Sequence, residues 1–153
     1  MKNLFSALTI SLLPSGCFAQ DTLPLRSFIS DAADSTHTSA ALMQKYFCPA
    51  LLHFPGQSGE QARKELIFWL DQQRKFLWTQ DLHLTEIVFT AYDALPGPEI
   101  PPCPFHMLGS TAHVYVARYQ QKIIWYFLLQ DDKLASTLLI GQGDEHYFLD
   151  FCL

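Results

Sequence analysis

Residues His113–Ile140 read "HVYVARYQQKIIWYFLLQDDKLASTLLI", and this stretch decides the fold. From Leu84 onward the apolar period is two, and β-branched and aromatic residues become frequent, which predicts strands at 84–92, 112–119, 122–130, 134–140 and 146–152. The linkers "QQK", "DDK" and "GQGDE" are short. Strands joined so closely pair as antiparallel hairpins, because a parallel crossover needs a dozen or more residues. The second half of the chain is therefore expected to be an antiparallel meander.

Within it, "KIIWYFLL" (Lys122–Leu129) is apolar on both faces. Simple alternation puts Ile123, Trp125, Phe127 and Leu129 on one side and Ile124, Tyr126 and Leu128 on the other. An antiparallel sheet with one face in water alternates apolar with polar residues, so something covers the second face. The candidates are the sheet's own curl, a Pro-rich loop, the N-terminal region, a ligand, or a second subunit. In the last case strand 122–130 would be a homodimer surface.

Upstream the pattern is helical. "FISDAADSTHTSAALMQKYFCP" (Phe28–Pro49) has its firmer half at Ser39–Phe47, with Thr38 or Ser39 as cap and Pro49 excluding Cys48 from the helix. "HFPGQSG" (His53–Gly59) reads as a turn. A long helix is predicted over Gly59–Thr79, with Ser58 and Gln61 forming a capping box. Its inner stripe is Ala62, Leu66, Leu70, Gln73 and Leu77, widened by Ile67 and Trp69. Glu60 and Lys64 are spaced as a helical ion pair. Arg63, Lys64, Arg74 and Lys75, interleaved with Glu60, Glu65 and Asp71, read as a solvated face. The expected fold class is α+β: two N-terminal helices packed on a curved antiparallel β-meander of four to five strands. Its general layout resembles the cystatin-like and nuclear-transport-factor-like folds, a likeness of fold alone.

The N-terminus, "MKNLFSALTISLLPSGCFAQD", has a lysine, an apolar run from Leu4 to Leu13, helix breakers at Pro14 and Gly16, and Ala19 as a small cleavage residue. That is the layout of a signal peptide over 1–19, too short to span a bilayer. The rest of the chain holds no apolar run long enough for a transmembrane helix. The domain expectation is a signal peptide over 1–19, a flexible leader over 20–27 and a single α+β domain over 28–153, destined for the periplasm or secretion. The alternative is a lipoprotein anchored at Cys17. Removing 1–19 takes away Lys2 and no acid, so the net charge of −5 becomes more negative by one. An acidic chain without clustered Lys and Arg argues against nucleic acid, and it suits a basic partner.

Export places Cys48, Cys103 and Cys152 where thiols pair. If the last strands alternate in direction, the start of strand 112–119 and the end of strand 146–152 share one end of the sheet. A Cys103–Cys152 disulfide then follows, with Cys48–Cys103 as the competitor.

"LPGPEIPPCPFHMLGS" (Leu95–Ser110) carries five prolines between two predicted strands. As a metal site it offers Cys103, His106 and His113, one ligand short of a closed zinc site. As a nucleophile site it lacks a group to orient His106 and a helix N-terminus to activate Cys103. Neither a metal nor another cofactor is expected, and no catalytic residue is assigned. "GQGDEH" (Gly141–His146) reads as a turn. Asp150, on a strand face with His146, Phe148 and Cys152, needs a partner if buried, and His113, beside Tyr115 and Tyr119, is the candidate.

"CPFHMLGSTAHVYVA" (Cys103–Ala117) resembles the Cys- and His-bearing loop of the periplasmic inhibitors of vertebrate lysozyme in its Cys, His and Gly-Ser placement. It has Leu108 where that loop has a second cysteine, and no residue role is carried over. The expected function is a non-enzymatic, exported binding protein, an inhibitor or immunity-type factor that docks a protein partner. The contact residues expected are Pro101, Pro102, Phe105, His106 and Met107, with Trp125 and Tyr126. The alternative is a small-ligand pocket protein or weak acid–base enzyme, its cavity lined by Tyr115, Trp125, Tyr126 and Phe148 with Asp150.

Overall fold

A computed structural model describes residues 22–50, 56–80, 82–96, 111–142, 145–148 and 152. Helices α1 (Leu23–Ala33), α2 (Ser39–Tyr46) and α3 (Gly56–Thr79) precede strands β1 (Val88–Ala91), β2 (Val114–Tyr119), β3 (Lys122–Gln130), β4 (Lys133–Ser136), β5 (Leu139–Gln142) and β6 (Glu145–Phe148). Strands β1–β4 form one antiparallel sheet in chain order, and β5–β6 form a separate hairpin. The class is α+β.

The quoted stretch folds as hairpins because its turns tolerate left-handed backbone. Gln120 and Gln121 have φ of 48° and 67°, and Asp131 and Asp132 have φ of 50° and 60°. Two successive positive-φ residues between paired strands make type I′ turns, whose twist matches that of the strands. Glycine or asparagine usually fills such positions, so these four side chains sit where their Cβ atoms are unfavourable.

Both faces of β3 are covered by this chain itself. On the inner face, Trp125, Phe127 and Leu129 pack with Leu25, Phe28 and Ile29 of α1, Leu42 and Met43 of α2, and Leu66, Leu70 and Leu77 of α3. Phe28, fully buried, meets Tyr46, Phe47, Trp125 and Phe127 edge-on at 5.4–6.1 Å between ring centroids. On the outer face, Leu128, Val114, Val116 and Ala135 pack with Cys48, Tyr92, Leu95, Tyr126, Phe148 and Cys152. Both edges of β3 are hydrogen-bonded, to β2 and β4. The strand read from sequence as a homodimer surface therefore lies inside the fold.

Simple alternation fails at one point in this strand. Ala117 pairs with Trp125 but Arg118 pairs with Ile123, so Ile124 is the extra residue of a β-bulge. The bulge sends Ile123 to the outer cluster and Ile124 to the inner one, the reverse of the sequence assignment.

Three further expectations are corrected. The stretch 20–27 was expected to be a leader, yet α1 starts at Leu23 and buries Leu25, Phe28, Ile29 and Ala32 at helical spacing. Pro24 is harmless there, because first-turn N–H groups have no intrahelical acceptor. Among the described residues the three helices α1–α3 stand where two were expected. Strand 84–92 is shorter: Leu84–Glu86 is a 3-10 turn, and only Val88–Ala91 pairs. Strand 134–140 is broken. Trp125 Nε1 and Gln73 Nε2 both donate to the Thr137 carbonyl, at 3.2 and 2.8 Å, and Ser136 Oγ accepts from Leu138 N at 3.1 Å. These bonds turn the chain off the sheet, and β5–β6 crosses to the outer face.

That departure decides the disulfide. Phe47 bridges Leu134, and Cys48 N donates to the Leu134 carbonyl at 3.2 Å, which holds Cys48 at the start of β4. The displaced hairpin brings Cys152 over it, and the bond is Cys48–Cys152, with Cα atoms 5.3 Å apart, an ordinary disulfide span. The expected Cys103–Cys152 pair rested on an unbroken meander, and its competitor Cys48–Cys103 is replaced because Cys48 is bonded to Cys152. Cys103, like residues 1–21, lies outside the described residues.

Candidate functional site

The Pro-rich insertion leaves the scaffold after Leu95 and returns at Thr111. Pro101, Pro102, Phe105, His106 and Met107 lie outside the described residues, as does Asp150. Both ends of the insertion are described, and they are tied to each other. Tyr92–Ala94 form a 3-10 turn that buries Tyr92, Leu95 is buried in the outer cluster, and Leu95 N donates to the Tyr92 carbonyl at 3.1 Å. Across the gap, Thr111 Oγ1 donates to the Asp93 carboxylate, and Val114 N donates to the Thr111 carbonyl at 2.9 Å. The insertion thus stands on a closed base at the start of β2.

The other expected contact residues are placed differently. Trp125 is 6% exposed, in the inner core, where no partner reaches it. Tyr126 is half-buried against the outer cluster. The expected ligand cavity is divided by the sheet: Tyr115 and Trp125 lie on its inner face, and Tyr126 and Phe148 on its outer face. Residues at odd and even strand positions cannot line one cavity unless the sheet closes on itself. A shallow, open hollow of about 280 Å³ is lined by His113, Tyr115, Leu129, Asp131 and Asp132. A second, of about 200 Å³, is lined by Arg26, Ile29, Ser30, Leu84, Thr85 and Phe89. Both are smaller than the usual ligand pocket. Among the described residues no group of three His, Cys, Asp or Glu side chains is placed to hold a metal.

Two polar clusters organise the helices. Asp31 Oδ2 accepts from Lys45 Nζ and from Tyr46 OH, both at 2.7 Å. The hydrogen bond from Lys45, then that from Tyr46, holds the Asp31 carboxyl below the usual carboxylate range. Burial, and then the bond to Asp31, raises the Tyr46 phenol. The second cluster overturns a sequence reading. Arg74 is 3% exposed, not solvated. Its guanidinium donates to the carbonyls of Ala32 (2.9 Å), Asp34 (3.0 Å) and His37 (2.6 Å) and to Ser39 Oγ (3.1 Å), and it stacks 4.8 Å from the Trp78 ring. Ser39 Oγ in turn donates to Asp71 Oδ1 at 2.5 Å. One side chain therefore fastens the end of α1, the connection and the start of α2 to α3.

The outer side of α3 holds the residues that sequence reasoning missed. The exposed pair Glu60–Lys64 forms as expected, at 2.7 Å. The capping box does not: the helix starts at Gly56, and Gln61 Nε2 donates to Glu65 Oε1 at 2.8 Å. Ile67 packs on the core as expected, but Trp69 faces outward at 48% exposed, with Phe68 at 55% and Phe76 at 43%. On a 3.6-residue period Phe68 lies opposite the stripe of Leu66, Leu70 and Leu77, while Trp69 and Phe76 lie at its edge.

Fold and site together define a small, disulfide-stapled α+β domain bearing a clamped Pro-rich insertion. No family model, no curated protein and no solved structure matches this chain. No helix among the described residues is long and apolar enough to cross a membrane.

Proposed function

We propose that this protein is a non-enzymatic, exported binding protein of the periplasm or cell surface that docks a protein partner, as an inhibitor or immunity-type factor does. The observation that carries this reading is the closed base of the Pro-rich insertion. Asp93 and Thr111 are bonded across it, and buried Leu95 roots it in the outer core. Binding residues favour loops held by a rigid scaffold, and pre-organised loop ends reduce the ordering cost of association. The insertion supplies Pro101, Pro102, Phe105, His106 and Met107 as contacts, and the net charge of −5 favours a basic partner.

The test replaces residues 98–108 with a Gly-Ser segment of equal length. The partner is captured from envelope extract, identified, purified and titrated against wild type and replacement by calorimetry. The wild type is expected to bind with an affinity that falls as salt rises, and the replacement to lose at least tenfold in affinity at unchanged Tm. Equal affinity of the two proteins would refute the proposal.

A further inference from the structure

The β5–β6 hairpin is held at its two ends by different means. At its start Leu138 is buried in the inner core, and the Thr137 carbonyl before it accepts from Gln73 and Trp125. Beyond its far end Cys152 is bonded to Cys48. In between, the two strands pair with each other and, among the described residues, with no strand of the β1–β4 sheet. Phe148 and Cys152 pack on the outer cluster, while Ile140 stands exposed. That cluster holds Val114, Val116 and Ala135, all fully buried, with Leu128. Tyr92 and Leu95, which root the Pro-rich insertion, are buried in it too.

We propose that this hairpin is a redox-latched strap. Reduction of Cys48–Cys152 by a dithiol releases it from the outer face as a local unit, hinged after Leu138, while the three helices and the β1–β4 sheet stay folded. The fastenings are unequal. Leu138 is held by packing and Thr137 by two hydrogen bonds, and neither changes when the sulfur–sulfur bond is cut. An element joined to a sheet by ladder hydrogen bonds opens only with that sheet, whereas one held by side-chain packing opens alone at lower cost. The chemistry is thiol–disulfide exchange. Cys48 is 6% exposed and Cys152 is half-buried, so a thiolate of the dithiol attacks the Cys152 sulfur and the Cys48 thiolate leaves. The second thiolate of the dithiol then attacks its partner sulfur in the mixed disulfide, which frees Cys152 and closes the dithiol to a disulfide. Two electrons pass to the protein, and Cys48 and Cys152 take up the two protons that the dithiol loses.

The bond governs the strap because, with Leu138 anchored, it closes a short loop. From Leu138 to Cys152 the chain runs about 15 residues, and a cross-link over that length makes the open state roughly 100-fold rarer. Opening uncovers Val116, Leu128 and Ala135, an apolar surface that the oxidised protein hides. It also withdraws Phe148 and Cys152 from the cluster that holds Tyr92 and Leu95, so the root of the insertion is looser in the reduced state. The strap does not depend on what the insertion binds.

The test is hydrogen–deuterium exchange, resolved by peptide mass spectrometry, on the full chain before and after reduction by dithiothreitol. Reduction is expected to speed exchange in Leu139–Gln142 and Glu145–Phe148 by roughly 100-fold. In the reduced protein these amides should exchange at least about tenfold faster than those of Val114–Tyr119 and Lys122–Gln130. The double variant Cys48→Ser with Cys152→Ser, without reductant, should reproduce that pattern, which assigns it to this bond and not to another cysteine. Hairpin protection that reduction leaves unchanged overturns the proposal. So does loss of protection in the hairpin and in β2–β3 together, because the bond is then a staple of the whole fold and not a latch. Exchange reads the strap with no partner present, so its outcome is separate from that of the insertion replacement.

Discussion

Replacing Arg74 with alanine is expected to loosen the packing of all three helices at once. The substitution removes hydrogen bonds to Ala32, Asp34, His37 and Ser39 and the stack on Trp78. A hydrogen bond from a charged donor contributes about 1.5–3 kcal/mol net, and four would sum to more than the site can deliver. The carbonyls of Asp34 and His37 can be rehydrated, whereas Ala32 and buried Ser39 cannot be without moving α1. We therefore expect a loss of ~3–4 kcal/mol, or roughly 10 °C in Tm for a domain of this size. Arg74→Lys keeps the charge but not the fork, and a single ammonium cannot reach acceptors spread over two helix ends, so it should lose at least half as much. The measurements are urea titration by circular dichroism and thermal melting by Trp fluorescence. If Arg74→Ala lowers Tm by less than about 3 °C, an effect ordinary for a surface site, the keystone role is wrong.

Other consequences follow from the same packing. A non-reducing peptide map should recover Cys48 linked to Cys152; a Cys103–Cys152 peptide would contradict the fold of β5–β6. Cys152→Ser should lower stability by about 4–5 kcal/mol, the chain-entropy value for a loop of ~100 residues. The Asp31 pKa lies below its unfolded value of 3.8, so its contribution is complete above that pH and is lost as pH falls through the lower folded value. Asp31→Asn should flatten this part of the acid-unfolding curve, and an unchanged acid limb would refute the assignment. Gln121→Gly, at φ 67°, should stabilise by about 0.5–1 kcal/mol in equilibrium unfolding, as strain relief exceeds the added entropy of the unfolded chain. A destabilised variant would refute the type I′ turn.

What the sequence disclosed was set by how local the cause is. Lys122–Gln130 was legible to the residue, because period-two apolar patterning and tight linkers on both sides point the same way. The bulge at Ile124 was not legible, since nothing in "KIIWY" distinguishes one isoleucine from the other. Arg74 read as solvated among alternating charges, but its burial depends on three carbonyls that only the docking of α1 supplies. The disulfide was misread for a similar reason. Thr137 looks like any strand residue until Gln73 and Trp125 converge on its carbonyl and turn the chain away. At the candidate site the insertion was visible as a proline cluster, whereas its clamped base required Asp93 and Thr111 to meet in space. Of the outer aromatics of α3, Trp69 alone is misassigned, because its spacing from Leu66 and Gln73 sets it at the edge of the inner stripe.

The Cys48–Cys152 bond also partitions the chain mechanically. It closes one covalent ring that contains α3 and strands β1–β6, and leaves α1 and α2 outside. Tension applied between Thr22 and Cys152 is carried by the bond and can draw out only the segment up to Cys48, an extension of roughly 90 Å at ~3.5 Å per residue. The sheet behind the bond stays closed under that load until the disulfide is reduced. The layer that this load strips away is α1 with α2, which Arg74 fastens to α3.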